Sequence, residues 1–215
     1  MLIGVRRCRI GDNVRIGSFN LFYRIGELRL EDHVSIGYFN LLRGGETIDI
    51  GAYAAILRLN IFNSIIEPDT VTPFEAVLRL GRGVVVTTGH WFDFSDRITV
   101  GDHTIIGGRN SSFWTHNRQR TRPIALGEHC YLGSEVRIAP GVQLPAYCIV
   151  ALGSVLMGSY QPGRSLIGGN PAVVQRPLNE CDLFLVTHKT RNDMPDEPKQ
   201  SLVGTADSAK QVDSL

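Results

Sequence analysis

His116 is the side chain of this sequence best suited to proton transfer. It lies in the segment Trp114-Thr115-His116-Asn117, immediately before a polar and basic stretch that spans residues 117–125. An imidazole has a pKa near neutrality, so a histidine at this position could take the proton from an attacking hydroxyl group. The alternative is a structural histidine that ties the root of a loop to a backbone carbonyl. The residues alone leave both roles open.

Four histidines recur at intervals of 13 residues, which raises the question of a metal site. They are His90, His103, His116 and His129. A spacing of 13 does not align side chains in the repeat described below, and a zinc site needs three or four ligands that converge. We therefore predict that the protein binds no metal.

The elements that must position His116 are visible as a six-residue repeat. Aliphatic residues recur at every sixth position, each usually followed by a small or turn-forming residue, at Leu126, Leu132, Ile138, Leu144, Val150 and Leu156. Upstream, Val100, Ile106 and Ser112 keep the same spacing, which places His116 at the fifth position of its hexapeptide. Because amphipathic helices repeat at three, four and seven residues, a period of six indicates short strands joined by tight turns.

The first third of the chain repeats more loosely, at 20 residues. The repeating positions are Ile16, Ile36 and Ile56, together with Asn20, Asn40 and Asn60. Three strands and three turns make a triangular coil of about 18 residues, and coils stack at the strand-pairing distance of about 4.8 Å. A period of 20 is then a coil with extra corner residues. We predict an all-β fold, a parallel β-helix with roughly eight coils between Ile10 and Ile167.

Two segments interrupt the repeat, and the last part of the chain lacks it. Residues 117–125 are too many for one hexapeptide, so we expect them to form a loop ejected from a corner, and residues 67–75 form a second excursion. The predicted organisation is a β-helix domain over residues 1–177, a short cap over 178–190 and a flexible tail over 191–215.

The composition argues against several classes of function. The 215 residues include 22 lysines and arginines against 21 aspartates and glutamates, so the basic surplus of an extended nucleic-acid site is missing. No apolar run approaches the roughly 20 residues of a membrane-spanning helix, and the first residues lack the order of a signal peptide. The cysteines form no CxxC pair, and we expect Cys130 and Cys148 to be free thiols one coil apart. These features predict a cytoplasmic protein without a nucleic-acid partner.

The repeat, the loop after Thr115-His116-Asn117 and the closing Ile167-Gly168-Gly169-Asn170-Pro171-Ala172 together resemble the hexapeptide-repeat acyltransferases. The resemblance covers residues 80–177 well and residues 1–79 only through the repeat. It is strongest to sugar O-acetyltransferases of colanic-acid-type and other surface-polysaccharide pathways. The resemblance implies a left-handed β-helix, a homotrimer, acetyl-CoA as the co-substrate and sites that lie between subunits.

The same resemblance suggests roles for residues around the site. His116 matches the catalytic base of the family. Asp93 matches an acceptor-contacting position, although an aspartate that caps a turn would fit equally well. Trp114 could stack on a sugar face or fill the trimer interface.

The residues that match the coenzyme A site of the family are Gly133, Ser134, Leu152 and Arg176. Small residues let a ligand approach the main chain, and an amide near Ser134 could stabilise an oxyanion. Arg176 matches a basic position that meets the nucleotide phosphates, but it could also be an ordinary surface charge. The chain departs from the family pattern at Val173 and at Met157-Gly158, where lysine and Thr-Lys are frequent.

The function implied by this resemblance is acetyl-CoA-dependent O-acetylation of a sugar or polysaccharide precursor. His116 would act as general base, and the acetyl group would pass directly to the acceptor in a ternary complex. Two alternatives stay open: the same transfer to the nitrogen of an amino sugar, and a non-catalytic β-helix scaffold. The missing lysines favour the scaffold, and His116 at the loop root opposes it.

Overall fold

A computed structural model describes residues 1–65 and 75–187 of the chain. Within these ranges the secondary structure consists of 24 strands and one helix. The strands build three sheets, in which successive coils of the chain pair in parallel and wind a β-helix. The predicted tail at residues 191–215, the end of the predicted cap and the excursion at 67–75, apart from Glu75, lie outside the described residues.

Each coil contributes one strand to each sheet. Sheet A contains β1 (Leu2–Ile3), β4 (Leu21–Tyr23), β7 (Leu41–Arg43), β10 (Ile61–Asn63), β13 (Trp91–Asp93), β16 (Ser112–Trp114), β19 (Arg137–Ile138) and β22 (Val155–Leu156). Sheet B contains β2 (Arg7–Ile10), β5 (Glu27–Leu30), β8 (Thr47–Ile50), β11 (Val77–Leu80), β14 (Ile98–Val100), β17 (Ile124–Leu126) and β20 (Gln143–Leu144). Sheet C contains β3 (Arg15–Ile16), β6 (Ser35–Tyr38), β9 (Ala55–Arg58), β12 (Val85–Thr88), β15 (Ile105–Arg109), β18 (Tyr131–Leu132), β21 (Ile149–Val150), β23 (Ser165–Gly169) and the antiparallel β24 (Ala172–Pro177). We name the three edges of the triangular coil the A–B, B–C and C–A corners.

The six-residue repeat is the inward-facing column of each sheet. The pairs Leu126–Leu144, Leu132–Val150 and Ile138–Leu156 are partners on adjacent strands, and all six side chains are buried. In the first third of the chain, Ile16, Ile36 and Ile56 are partners on adjacent strands, and Ile36 and Ile56 are buried. The predicted β-helix is therefore confirmed, and both periods place apolar residues in one continuous core.

The asparagines of the 20-residue period form a ladder of hydrogen bonds between coils, inside the C–A corner. Asn20, Asn40 and Asn60 are buried on successive coils. The Oδ1 atom of Asn20 accepts from the backbone nitrogen and the Nδ2 atom of Asn40, at 2.9 and 3.0 Å, and Asn40 accepts in the same way from Asn60. His90 and Ser111 continue the ladder, because Asn60 Oδ1 accepts from the His90 amide and His90 Nδ1 accepts from the Ser111 amide. Amide side chains that satisfy buried turn groups explain why asparagine recurs here.

The hexapeptide that starts at Ser112 is out of register by one residue. The structure pairs Phe113, not Ser112, with the inward-facing Phe92 and Ile138. The extra residue is absorbed by a β-bulge in β15, where Val86 pairs with Ile106 but Thr88 pairs with Arg109. Gly108 occupies this bulge with φ of 63°, a conformation that glycine adopts readily. His116 is therefore the fourth residue of its unit rather than the fifth.

The ejected loop is shorter than predicted. Ile124 and Ala125, which the sequence assigned to the loop, belong to β17 and pair with Ile98 and Thr99 of β14. The buried side chain of Ile124 accounts for the difference, because it fills an inward position of sheet B.

β24 pairs antiparallel with β23 at the end of sheet C, and helix α1 (Glu180–Thr187) follows it in the chain. The carbonyl of Val186 bonds His129 Nδ1 at 3.0 Å, which ties the helix to the B–C corner. No helix among residues 1–65 and 75–187 has the length and apolar character needed to cross a bilayer. Cys130 and Cys148 are buried free thiols on neighbouring coils.

Candidate active site

His116 projects from the A–B corner, immediately after β16. The chain turns back on itself at this point, because His116 and Thr121 form an antiparallel bridge. Asn117 closes the tip between them: its Oδ1 atom accepts from the amides of Gln119 and Arg120 at 2.9 Å, and its amide donates to the Arg120 carbonyl at 2.8 Å. An asparagine side chain that caps its own turn holds such a loop without help from the core. The root of the loop thus fixes the backbone that carries the imidazole.

The imidazole of His116 bonds a carboxylate on the coil below. His116 Nδ1 lies 2.5 Å from Oδ2 of Asp93, which ends β13. The Asp93 residue is only 2% exposed, whereas the His116 side chain is 37% exposed. If Nδ1 carries the hydrogen that faces the carboxylate, Nε2 is left with its lone pair. Among the described residues, no group forms a hydrogen bond with Nε2, so this nitrogen is available to accept a proton.

Further hydrogen bonds hold Asp93 in place, two at its carboxylate and one at its backbone carbonyl. Its Oδ1 atom accepts from the amide of Ser95 at 3.0 Å and from the Ser95 hydroxyl at 2.6 Å. The hydroxyl of Thr115 donates to the Asp93 carbonyl at 2.9 Å and accepts from the Asp96 amide at 3.0 Å. Asp93 therefore caps a turn and bonds the histidine at once. Contact with an acceptor hydroxyl, the role that the resemblance suggested, would require the acceptor to reach a carboxylate that is almost completely buried.

A cleft of about 530 Å³ opens beside His116 on the outer face of sheet A. Its walls are largely apolar and are lined by Trp114, Ile138, Ala139, Pro140, Val155 and Met157. Asn117, Arg118 and Arg137 supply the polar groups next to His116. Trp114 is 41% exposed, and its ring stacks on that of Trp91 with 5.9 Å between centroids. An apolar cleft with a few polar groups around a potential base is a typical substrate site.

His90 provides an internal contrast on the coil below. It is 1% exposed, its Nδ1 accepts from the Ser111 amide at 3.1 Å, and its Nε2 bonds the Thr87 hydroxyl at 2.9 Å. Burial lowers the pKa of His90 to about 4, because the charged imidazolium would lose its solvation. This ring is neutral and fully bonded, so it serves the fold. Among the described residues no group of three metal-ligating side chains converges, at His90 or elsewhere.

The residues expected to bind coenzyme A lie apart from His116. Gly133, Ser134 and Leu152 sit at the C–A corner, on the far side of sheet A from the A–B corner that carries the histidine. Gly133 and Leu152 are in close contact between coils, since a Cβ on Gly133 would lie 2.9 Å from the Leu152 nitrogen. Leu152 is 70% exposed. A single chain therefore does not bring these residues to the imidazole.

Arg176 is also remote from His116, on β24. Its guanidinium forms a two-pronged ion pair with Asp182 of α1, at 2.5 and 3.2 Å. This hydrogen-bonded pair lowers the pKa of the Asp182 carboxyl. The contact anchors the helix, and a phosphate would have to compete with Asp182 for the guanidinium.

The structure thus brings together His116, Asp93 and Trp114, and adds neighbours that the sequence did not single out. Ser95 bonds the Asp93 carboxylate and Thr115 bonds the Asp93 backbone carbonyl, while Arg118, Arg137 and Met157 line the cleft. Ser95 follows Asp93 by two residues, which is the spacing of an Asx turn and was a usable signal. The other contacts depend on which residues of successive coils are paired. The β-bulge shifts this pairing by one residue, and the six-residue repeat does not reveal the shift.

Comparisons with known proteins agree with the fold. No protein-family model matches the chain. The chain is 30% identical over 127 residues to a protein of Escherichia coli K12 named as the colanic acid biosynthesis acetyltransferase WcaF. The match covers 56% of this chain and 69% of that protein. It is 30% identical over 82 residues to a Bacillus subtilis protein named as the acetyltransferase YvoF, covering 36% of this chain and 46% of that one.

Among solved structures, a UDP-N-acetylglucosamine acyltransferase from Campylobacter jejuni matches with a TM-score of 0.56. The identity is 16%, and the match covers 80% of this chain and 73% of the other. This likeness concerns the fold alone, and it agrees with a left-handed β-helix.

Proposed function

The chain belongs to the hexapeptide-repeat acetyltransferases, and from this premise we propose that it transfers an acetyl group from acetyl-CoA to a hydroxyl of a sugar or polysaccharide precursor. Membership of this family makes the protein an acyltransferase rather than a non-catalytic scaffold. The observation that carries the proposal is the pairing of His116 with the buried carboxylate of Asp93 at the edge of the cleft.

His116 acts as the general base in the proposed reaction. With Nδ1–H held by Asp93, Nε2 takes the proton of the acceptor hydroxyl while the oxygen attacks the thioester carbonyl. The tetrahedral intermediate then collapses, the carbon–sulfur bond breaks, and the imidazolium returns the proton to the leaving thiolate. Both substrates are bound during the transfer, so no acyl-enzyme forms. Asp93 positions the ring and stabilises the transient imidazolium, and does not itself take the proton.

The proposal extends to a homotrimer in which neighbouring chains build each site. The outer face of sheet A carries a column of partly exposed apolar side chains, Leu21, Leu41, Ile61 and Trp91, which lie on adjacent strands. Trp114 and Met157 continue this apolar face beside the cleft. The expected donor residues Gly133, Ser134 and Leu152 flank the same sheet at the opposite corner, so a neighbouring copy would have to present them to His116. The acyl donor and the free cysteines are consistent with the cytoplasm as the site of action.

The test is the release of free thiol from acetyl-CoA in the presence of a panel of sugars, with wild-type protein and His116→Asn. Asparagine retains a hydrogen-bonding group toward Asp93 but provides no base. We expect kcat to fall by about 10²- to 10⁴-fold, and the KM for acetyl-CoA to stay nearly constant.

His103→Asn is the matched control. His103 lies at the B–C corner with φ of 56°, a conformation that asparagine tolerates, and it is remote from the cleft. This variant should keep wild-type turnover. A folded His116→Asn protein that turns over acetyl-CoA at the wild-type rate would remove His116 from the mechanism.

A further inference from the structure

Ser95 lies on the coil below His116, at the matching place in the A–B corner. Asp93 of β13 pairs with Trp114 of β16, and Ser95 and His116 each follow their member of this pair by two residues. Ser95 is 0% exposed, so its hydroxyl is shielded from solvent. A buried hydroxyl therefore lies one hydrogen bond away from the carboxylate that holds the imidazole.

The direction of the Ser95 hydroxyl hydrogen is set by its two partners. The amide of Ile65, one coil further down, donates to Ser95 Oγ at 3.2 Å. Asp93 Oδ1 lies 2.6 Å from the same oxygen, and an ionised carboxylate can only accept. Because a hydroxyl carries a single hydrogen, Ser95 accepts from Ile65 and donates to Asp93.

The donated hydrogen bond determines which way the carboxylate of Asp93 faces. Oδ1 accepts from the amide and the hydroxyl of Ser95, at 3.0 and 2.6 Å, while Oδ2 is left for His116 Nδ1 at 2.5 Å. Rotation of the carboxylate about its Cβ–Cγ bond would break these bonds together. Donors that meet a carboxylate also stabilise its charge, which otherwise costs free energy at a buried side chain.

The turn alone does not account for a serine at position 95. An Asx turn needs only the amide of the second residue after the aspartate, which any residue except proline supplies. The hydroxyl adds a second and shorter bond to the same oxygen atom of Asp93. The serine side chain is therefore explained either by the carboxylate that it bonds or by the Ile65 amide that it accepts from.

We propose, on the basis of the acetyltransferase function above, that Ser95 is a positioning residue of the reaction. Its hydroxyl holds the Asp93 carboxylate against His116 Nδ1, which keeps the hydrogen of the ring on Nδ1 and the lone pair on Nε2. Ser95 does not touch either substrate and acts through Asp93 alone. Its effect is therefore on kcat and not on the KM of either substrate.

The experiment compares Ser95→Ala, which removes the hydroxyl, with Ser95→Cys, which fills nearly the same space with a weak donor. Thiol release from acetyl-CoA is followed for the full chain with glucose, glucosamine and glucuronate as acceptors. We expect kcat to fall by roughly 10- to 100-fold in both variants, because a hydrogen bond to a charged group is lost while the amide of residue 95 still bonds Asp93. The KM for acetyl-CoA should not change.

Ser64→Ala is the matched control. Ser64 is also 0% exposed and lies at the same corner, one coil below Ser95. Its hydroxyl bonds the Ile65 carbonyl at 3.5 Å and not the Asp93 carboxylate. This variant also loses a buried hydroxyl, and it should keep the kcat of the wild type.

A second measurement follows the ring of His116 and does not need turnover. Nitrogen-15 NMR of histidine-labelled protein distinguishes a ring that carries its hydrogen on Nδ1 from one that carries it on Nε2. The signals of His116 are identified by their absence in His116→Asn. We expect the Nδ1–H form in the wild type and in Ser64→Ala, and a larger share of the Nε2–H form in Ser95→Ala.

Two results would overturn the proposal. One is a Ser95→Ala protein whose kcat or whose His116 spectrum equals that of the wild type, because the hydroxyl would then serve only the Ile65 amide. The other is a wild-type kcat in Ser95→Cys, which would assign the effect to packing. In both cases turnover that depends on His116 leaves the acetyltransferase proposal intact. If no sugar gives such turnover, that proposal is contradicted, and the spectra alone decide whether Ser95 positions the ring.

Discussion

His90 and His116 lie at different corners of successive coils, and only one of these two can act as a base. His90 lies in the C–A corner, where both ring nitrogens are bonded and the ring is buried. His116 lies at the A–B corner, where one nitrogen meets Asp93 and the other faces the cleft. The burial that suits His90 to the core lowers its pKa to about 4, far below the range in which a base works at neutral pH.

The difference comes from the chain around each ring rather than from the ring itself. At the C–A corner the coils follow one another without interruption, so each buried polar group meets a partner on the next coil. At the A–B corner the loop after His116 interrupts this succession and leaves one nitrogen without a neighbour. The β-helix thus produces a reactive group where its own pattern of hydrogen bonds is broken.

The largest effect is expected when the partner of His116 is changed. Asp93→Asn keeps an oxygen for Ser95 but turns an amide toward Nδ1, which then has to accept a hydrogen bond. The hydrogen of the ring moves to Nε2, and the base is lost. We expect kcat to fall by about 10²- to 10⁴-fold with little change in the KM for acetyl-CoA.

Steady-state thiol release measures this change, and Asp96→Asn is the matched control. The Asp96 side chain bonds the Arg97 amide at 2.7 Å through an oxygen that asparagine also has. A wild-type kcat in Asp93→Asn would show that the carboxylate does not set the state of the ring.

The second prediction concerns the asparagine ladder of the C–A corner, where buried polar groups bond one another from coil to coil. Asn40→Ala removes two bonds that Asn40 Nδ2 donates, to Asn20 and to the Leu57 carbonyl, and two that Asn60 donates to Asn40 Oδ1. Because the orphaned groups stay buried, the free energy of unfolding should fall by about 2–4 kcal/mol. Turnover under folded conditions should not change, since the ladder lies away from the cleft.

Urea denaturation measures the loss, with Thr47→Ala on the outer face of sheet B as the control. That change is expected to cost less than about 0.5 kcal/mol, as is usual for a site away from buried features. Equal stability of the two variants would mean that the ladder contributes nothing to the fold.

The smallest effect concerns the pH dependence of stability at His90. The folded pKa of about 4 is below the ordinary value of 6.5, so between these values the unfolded chain binds a proton that the folded chain excludes. Stability from this group is complete above pH 6.5 and decreases as the pH falls toward 4, by roughly 2 kcal/mol between pH 7 and pH 5. His90→Asn removes the titrating ring and presents an oxygen to the Ser111 amide, as the asparagines of the ladder do.

We therefore expect His90→Asn to have a smaller loss of unfolding free energy between pH 7 and pH 5 than the wild type. Denaturant titrations at both pH values check this, with His103→Asn as the control. If the two histidine variants lose the same free energy, His90 is not the group responsible.

The sequence predicted the β-helix well because each coil repeats the same physical requirement. Inward positions such as Leu132 and Ile138 must be apolar on every coil, and asparagines such as Asn40 must satisfy the same buried turn groups. A requirement that recurs is visible as a period in a single sequence. Asp93 precedes His116 by 23 residues, close to the length of one coil, and the structure has it on the coil below.

The features that the sequence did not predict arise from single local irregularities rather than from the repeat. The bulge at Gly108 adds one residue to β15 and shifted the predicted register at Ser112. The bond between Asp93 and His116 depends on the turn at Ser95 and on the return of the chain at Thr121, neither of which repeats. Gly133, Ser134 and Leu152 lie at the C–A corner and His116 at the A–B corner. Whether they act together depends on the proposed association of chains, which spacing within one chain does not report.

The bridge between His116 and Thr121, closed by the side chain of Asn117, makes the loop tip self-contained. Residues inserted between Gln119 and Arg120 would extend into solvent without pulling on the imidazole, because the root is fixed to the coil below. Natural variation can then exchange the tip, with its arginines, while the chemistry beneath it is inherited unchanged. In such an arrangement the substrate specificity can change during evolution while the residues at the root of the loop stay the same.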